Sequence, residues 1–294
     1  MKMTDSTVTL RDGRRIGFVR VGDPPGTPLF YIHGFPGSRL EALFMEKAAT
    51  DLGVCVIGVD RPGYGLSRGK PGRRLGDWPC DLCQLADALD IDRFSVMGVS
   101  GGGPYAVACA WKMPERLSRV GIVCGLGPLE TAEAFQGMIA LNRLGLMLCQ
   151  RVPWLIRPLL APLSIGLCLA PELVIGHLTS RVRPVDRETL RRADVRRLLA
   201  RSFREALCGG MEGAVQDLWI YTRPWGFALS DIETEVLLWH GEEDVIVPPS
   251  MGRYQAEKIP RCVAVFYPEE GHFSLVEHHG EDILTAMTVG IPRI

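Results

Sequence analysis

The sequence predicts an α/β protein with a mostly parallel, eight-stranded sheet, flanking helices and a helical insertion late in the chain. Three observations carry this. Short, almost unbroken apolar runs recur at residues 29–32, 54–59, 94–99 and 120–124, the composition of parallel strands covered on both faces. Stretches of helical periodicity lie between them. Residues 81–89 and 102–112 are the clearest, the second closed by Met113-Pro114. Such alternation builds a parallel sheet through right-handed crossovers. The pattern then stops, and from about Gly127 to Leu229 Leu, Pro and Arg dominate with no strand signal.

The elements follow in order. Residues 7–10 and 15–21 alternate in polarity around the turn signal Arg11-Asp12-Gly13, so the chain opens on an antiparallel hairpin. The four apolar strands come next. Within the insertion, residues 185–207 place Leu190, Leu198, Leu199, Phe203 and Leu207 at helical spacing, with arginines between. Strand patterns resume at 236–239 and 263–267, with a helix between them, and a last helix spans about 277–287. The core is therefore expected at 1–126 and 230–294, and the helical insertion at 127–229.

Composition narrows the function. The 294 residues can bury one large α/β domain. Hydrophobic residues at 47% and charged residues at 23% exclude disorder, and a net charge of -1 gives no field for nucleic acid. The nine cysteines are scattered, and Cys80 and Cys83 have no second pair at zinc spacing. No disulfide framework and no metal are expected. The cysteines read mostly as small buried apolar side chains in a reducing compartment. The opening Met1-Lys2-Met3-Thr4-Asp5-Ser6 is polar, so no secretion leader is expected. The apolar zone 137–175 is broken by Arg143, Gln150, Arg151, Arg157 and prolines, so no stable membrane insertion is expected. The expected compartment is the cytoplasm. Oligomeric state is not legible.

The strongest chemical signal is Gly98-Val99-Ser100-Gly101-Gly102, a G-x-S-x-G between a strand and a helix. A serine hydroxyl is a poor nucleophile unless held beside a base. A sharp strand-to-helix turn projects it above the sheet edge. Glycines at 98 and 102 let the two backbones close on each other. Three further motifs accompany it: His33-Gly34-Phe35-Pro36-Gly37-Ser38, Asp60-Arg61-Pro62-Gly63-Tyr64-Gly65-Leu66-Ser67, and Gly241-Glu242-Glu243-Asp244 with Gly271-His272-Phe273-Ser274.

In their order and spacing these motifs resemble the α/β-hydrolase superfamily over nearly the whole chain. The resemblance implies the α/β-hydrolase fold, with residues 127–229 as a lid over Ser100. It implies a triad of Ser100 as nucleophile, His272 as base and Asp244 as orienting acid. Glu242 and Glu243 compete for the acid position, and the resemblance favours Asp244, which precedes Val247-Pro248. It further implies an oxyanion hole from the backbone N–H groups of Phe35 and Gly101. His33, Gly34, Gly98 and Gly102 are then structural parts of the two loops. His240, His278, His279 and His177 read as packing or surface residues.

Two other segments invite different readings. The turn from Asp60 to Gly65 lacks the Lys-Ser/Thr ending of a phosphate loop. The arginines of 185–207 are diluted by Asp186, Glu188, Asp194 and Glu205, and read as a solvated helix face. The expected reaction is acyl transfer without cofactor or metal. The expected substrate is a small to medium, fairly apolar carboxylic ester, lactone or thioester, because the insertion is rich in Leu, Met and aromatics. The alternatives are C–C bond hydrolysis, aminopeptidase or perhydrolase chemistry on the same triad, and a hydrolase-derived ligand receptor.

Overall fold

The computed structural model describes residues 5–130 and 132–288. The first four residues, read above as polar and leaderless, lie outside the described residues. Eight strands form one sheet: β1 (Asp5–Thr9), β2 (Arg15–Gly22), β3 (Thr27–Ile32), β4 (Val54–Val59), β5 (Phe94–Val99), β6 (Leu117–Val123), β7 (Val236–Gly241) and β8 (Cys262–Tyr267). Their spatial order is β1-β2-β4-β3-β5-β6-β7-β8. β2 pairs antiparallel with β1 and β4, and the other pairings are parallel. The expected eight-stranded, mostly parallel sheet is the observed one.

Side chains alternate between the two faces, and each face is covered. Phe30, Ile32, Ile57 and Val96 join one apolar layer with Leu82, Leu85 and Ala106. Those three lie on α2 (Trp78–Ala88) and α3 (Gly103–Lys112). Leu29, Tyr31, Val56 and Met97 join the other layer with Ile283 and Leu284, which belong to α11 (Ser274–Thr288). A short α1 (Glu46–Asp51) follows β3, and α10 (Pro249–Lys258) joins β7 to β8.

Between β6 and β7 the described residues hold helices and no strand. They are α4 (Ala140–Arg151), α5 (Ile156–Leu169), α6 (Pro171–Thr179), α7 (Pro184–Arg191), α8 (Ala193–Cys208) and α9 (Glu212–Tyr221). Three details differ from expectation. The periodic stretch 185–207 is two helices, because Arg192 is extended (φ -63°, ψ 126°). Its acids are not all solvated: Asp186 is fully buried, and Glu205 pairs with the buried Arg39. Last, Cys168 and Cys208 are disulfide-bonded, tying the end of α5 to the end of α8. The partners are 40 residues apart, a proximity that only the packing of the two helices creates. Of the seven free cysteines, Cys55, Cys109, Cys124 and Cys149 are buried, as expected for small apolar side chains. No helix among the described residues is long and apolar enough to cross a membrane.

The inserted helices are anchored by a buried ionic cluster. Asp217 on α9 is fully buried. Arg61 reaches it through Nε at 2.9 Å and a terminal nitrogen at 2.7 Å. Tyr64 donates to it at 2.8 Å, and Arg73 and Tyr105 serve its other oxygen. Burial alone would raise the Asp217 pKa, but Arg61 and Arg73 hold it well below the usual carboxylate value. Removing one member of such a cluster leaves buried charge uncompensated. Asp217→Ala is expected to lower the unfolding free energy by about 3–5 kcal/mol, read from urea denaturation. A loss well under 1 kcal/mol would show that the cluster does not anchor the insertion.

Candidate active site

Every sequence motif sits at the carboxyl end of a strand. The loop His33 to Ser38 follows β3, Asp60 follows β4, Ser100 follows β5, Asp244 follows β7 and His272 follows β8. β3 and β5 are neighbours although β4 lies between them in sequence. The chain changes direction across the sheet there, and such a switch point opens a crevice at the strand ends. The His33 loop and Ser100 flank it.

Ser100 has φ 54°, in the left-handed region, at a cost on the order of 1–3 kcal/mol for a non-glycine residue. The turn is held by close backbone approach. A Cβ on Gly98 would lie 2.4 Å from the Gly102 carbonyl oxygen, and one on Gly102 would lie 2.2 Å from that of Ile32. No side chain fits at either position. Ser100 Oγ and His272 Nε2 are 3.0 Å apart, and His272 Nδ1 and Asp244 Oδ2 are 2.6 Å apart. The structure thus brings Ser100, His272 and Asp244 into one chain, all buried. The neutral tautomer that fits has Nδ1–H donating to Asp244 and Nε2 accepting from the serine hydroxyl.

Asp244 is fixed from behind. Its Oδ1 accepts the N–H groups of Ile246 at 2.8 Å and Val247 at 2.9 Å. Its competitors point elsewhere: Glu242 pairs with Arg253 and Glu243 with Arg183. Burial would lower the His272 pKa, but the adjoining Asp244 carboxylate prevails and raises it. His240 has the opposite outcome, its pKa lowered by burial, and it bonds the Val247 carbonyl at 2.8 Å. His278 and His279 bracket Glu270 on the surface side of α11, and His177 is exposed on α6.

Phe35 and Gly101 lie side by side. A Cβ on Gly101 would sit 3.2 Å from the Phe35 nitrogen. His33 acts within its loop: Nε2 accepts the Arg61 N–H at 3.2 Å, and Nδ1 lies 2.9 Å from the Gly34 carbonyl. Burial holds its pKa well below the ordinary value. Asp60 is likewise structural, accepting the N–H groups of Arg39 at 2.7 Å and Leu66 at 2.9 Å.

Sequence reasoning missed four residues around this site. Asp186, from α7, accepts the backbone N–H groups of His272 at 2.9 Å, Phe273 at 2.8 Å and Ser274 at 3.0 Å. It caps α11 from a distant segment, and no local capping signal reveals it. Glu41 is buried beneath the His33 loop and accepts the Gly34 N–H at 2.7 Å; burial pushes its pKa up to about 7. Tyr221 places its hydroxyl 2.8 Å from the Gly101 carbonyl and 3.1 Å from Asp217, tying the insertion to the serine turn. Cys124, at φ 46°, lies within 4.8 Å of the Asp244 and His272 donor atoms.

Cys124, Asp244 and His272 could in principle chelate a metal, with donor atoms within 4.8 Å of one another. The donor set does not fit one. His272 Nδ1 and Asp244 Oδ2 are hydrogen-bonded to each other at 2.6 Å, which occupies two of the three donor atoms.

A model of the alpha/beta hydrolase family matches residues 29–286. The dihydrolipoyllysine-residue acetyltransferase component of the acetoin cleaving system of Pseudomonas putida is 25% identical over 278 residues, covering 90% of this chain and 64% of that protein. The chain therefore spans less than two thirds of that relative's length. Bromoperoxidase from Bacillus anthracis superposes with a TM-score of 0.71 at 18% identity, covering 96% of this chain and 98% of that one. An esterase from Exiguobacterium antarcticum superposes with a TM-score of 0.68 at 16% identity, covering 98% and 99%. The two structural likenesses bear on fold.

The geometry makes one direct prediction. The His272 ring, followed by NMR, should titrate above pH 6.5, and Asp244→Asn should weaken its proton affinity by roughly tenfold or more. A wild-type value at or below 6.5, or no change in the variant, would remove the ion pair from the account.

Proposed function

The chain belongs to the alpha/beta hydrolase family, and from that premise we propose that it is a serine hydrolase acting on an apolar carboxylic ester, lactone or thioester. The observation that carries this reading is the unbroken chain of Ser100 Oγ, His272 and Asp244, with contacts of 3.0 and 2.6 Å. In this reading Ser100 attacks the carbonyl carbon while His272 takes its proton. The growing oxyanion is met by the N–H groups of Phe35 and Gly101. His272 then protonates the leaving alcohol or thiol. In the second half it activates water, which releases the acid from the serine ester and restores the hydroxyl. Asp244 holds the ring through Nδ1 and stabilises the imidazolium. No cofactor enters this scheme.

Residues 127–229 are assigned as the lid, with 1–126 and 230–294 as the core. Two contacts support the assignment. The Leu126 N–H, just before this stretch, bonds the Ser100 carbonyl at 3.0 Å, and the Ile139 N–H, in its first part, bonds the Val245 carbonyl at 2.8 Å, so the chain enters the stretch beside Ser100 and Asp244. The residues they bring are apolar: Leu126, Leu129 and Met138 are buried, with Phe35 and Phe273 packed nearby. Apolar surroundings of this kind favour an uncharged substrate. We place the protein in the cytoplasm as part of the same reading; the Cys168–Cys208 bond would there face a reducing thiol pool.

A panel of p-nitrophenyl esters of rising acyl length tests the proposal. Wild type should turn over uncharged short and medium esters, and Ser100→Ala should lose about 10⁴-fold or more of that activity while melting at a similar temperature. Equal rates in the two proteins would overturn the assignment of Ser100.

A further inference from the structure

Helix α5 is apolar on two opposite sides. Ile156, Leu160 and Leu167 are buried, with Leu163 packed against the same core. This stripe repeats every three or four residues and faces the protein. A second stripe at the same spacing faces outward: Trp154, Pro158, Pro162, Ile165 and Leu169. Trp154 is 75% exposed, Ile165 59% and Leu169 80%; Leu173, just past the bend into α6, is 77% exposed. A helix apolar all round normally has both sides covered. Among the described residues nothing covers this one. The concentration is local, since seven of the eleven large exposed hydrophobics of the described residues fall between 141 and 173.

Charge distinguishes the candidate occupants. Residues 134–171 contain no Asp or Glu and three arginines, Arg143, Arg151 and Arg157, all exposed. Arg157 meets Glu212 at 3.0 Å, at the rim of the surface. Over the full surface, 134–173, three arginines stand against one acid, Glu172, a net of +2 (3 − 1), and Glu172 is itself paired with Arg196 at 3.8 Å. A second copy docked by two-fold symmetry would set this net positive surface against itself, with its two acids, Glu172 and Glu212, already paired to Arg196 and Arg157 within each copy. An anionic lipid surface satisfies both features. Apolar side chains enter the acyl boundary, the Trp ring sits at headgroup level, and arginines meet phosphates. The α5 helix has 14 residues, suited to lying in the interface plane.

We propose that α5, with Trp154 ahead of it and Leu173 behind it, is a peripheral docking surface for an anionic phospholipid bilayer. The proposal is independent of the reaction assigned to Ser100, and it goes beyond that reading by giving the protein a location for its work. An apolar ester dissolved in the bilayer would then lie beside the inserted helices.

The test uses the full chain carrying Ser100→Ala, so that no hydrolysis alters the lipid. Co-sedimentation is measured with vesicles of phosphatidylcholine alone and of phosphatidylcholine with phosphatidylglycerol at roughly three to one. Partition to the anionic vesicles should be at least about tenfold stronger and should weaken as salt rises. Ile165→Asp with Leu169→Asp should remove about tenfold or more of it. The same pair of changes on a Ser100 background should leave turnover of a soluble ester unchanged, which shows that the variant is folded. Absence of binding, or binding equal in the parent and the double variant, would overturn the proposal. So would a concentration-dependent dimer abolished by the same changes, since the surface would then belong to a second copy.

Discussion

The site depends on how closely three backbones approach at the end of β5. The carbonyl oxygens of Ile32 and Gly102 lie where side chains at Gly102 and Gly98 would have to go. That closeness holds Ser100 in a left-handed conformation no serine adopts for its own sake. The other distances follow from it. With the turn fixed, the Ser100 hydroxyl has one place above the sheet edge. The loops after β7 and β8 then need only bring Asp244 and His272 to that place. Because the strands are parallel, all of these loops emerge at the same end.

The inserted helices are built into this arrangement rather than laid over it. Asp186 from α7 gathers three backbone N–H groups of the His272 loop. Asp217 from α9 neutralises Arg61, which in turn donates to the Gly34 carbonyl at 3.0 Å. Tyr221 from the same helix touches the carbonyl of Gly101. Each contact replaces water that a buried polar group would otherwise lack. The His272 loop and the serine turn are thus tied to the insertion, and so is the His33 loop, which also meets it directly where the Ser38 N–H donates to Ser202 Oγ on α8 at 2.9 Å.

Much of this was legible in the sequence, for identifiable reasons. The strands were readable because a parallel strand covered on both faces must be apolar throughout, as residues 54–59 and 94–99 are. Ser100 was readable because its turn demands glycines at fixed offsets. What could not be read involves partners far apart in the chain. Residues 185–207 keep helical periodicity straight through Arg192, where the backbone breaks without a glycine or proline to mark it. Helix α11 starts at Ser274 rather than near 277 because its cap, Asp186, is supplied 88 residues upstream. Glu41, Asp217 and the Cys168–Cys208 bond share that origin. A carboxylate in a helical sequence looks solvated until tertiary structure buries it.

In the proposed reaction the Ser100 Oγ forms the covalent ester. The most direct measurement is intact-protein mass spectrometry on acid-quenched mixtures with a slowly released p-nitrophenyl ester, followed by peptide mapping. The account predicts a mass increase equal to one acyl group, confined to the peptide carrying Ser100 and absent from Ser100→Ala. An acyl group found on another residue, or turnover with no adduct under conditions where p-nitrophenol is released in a burst, would contradict it.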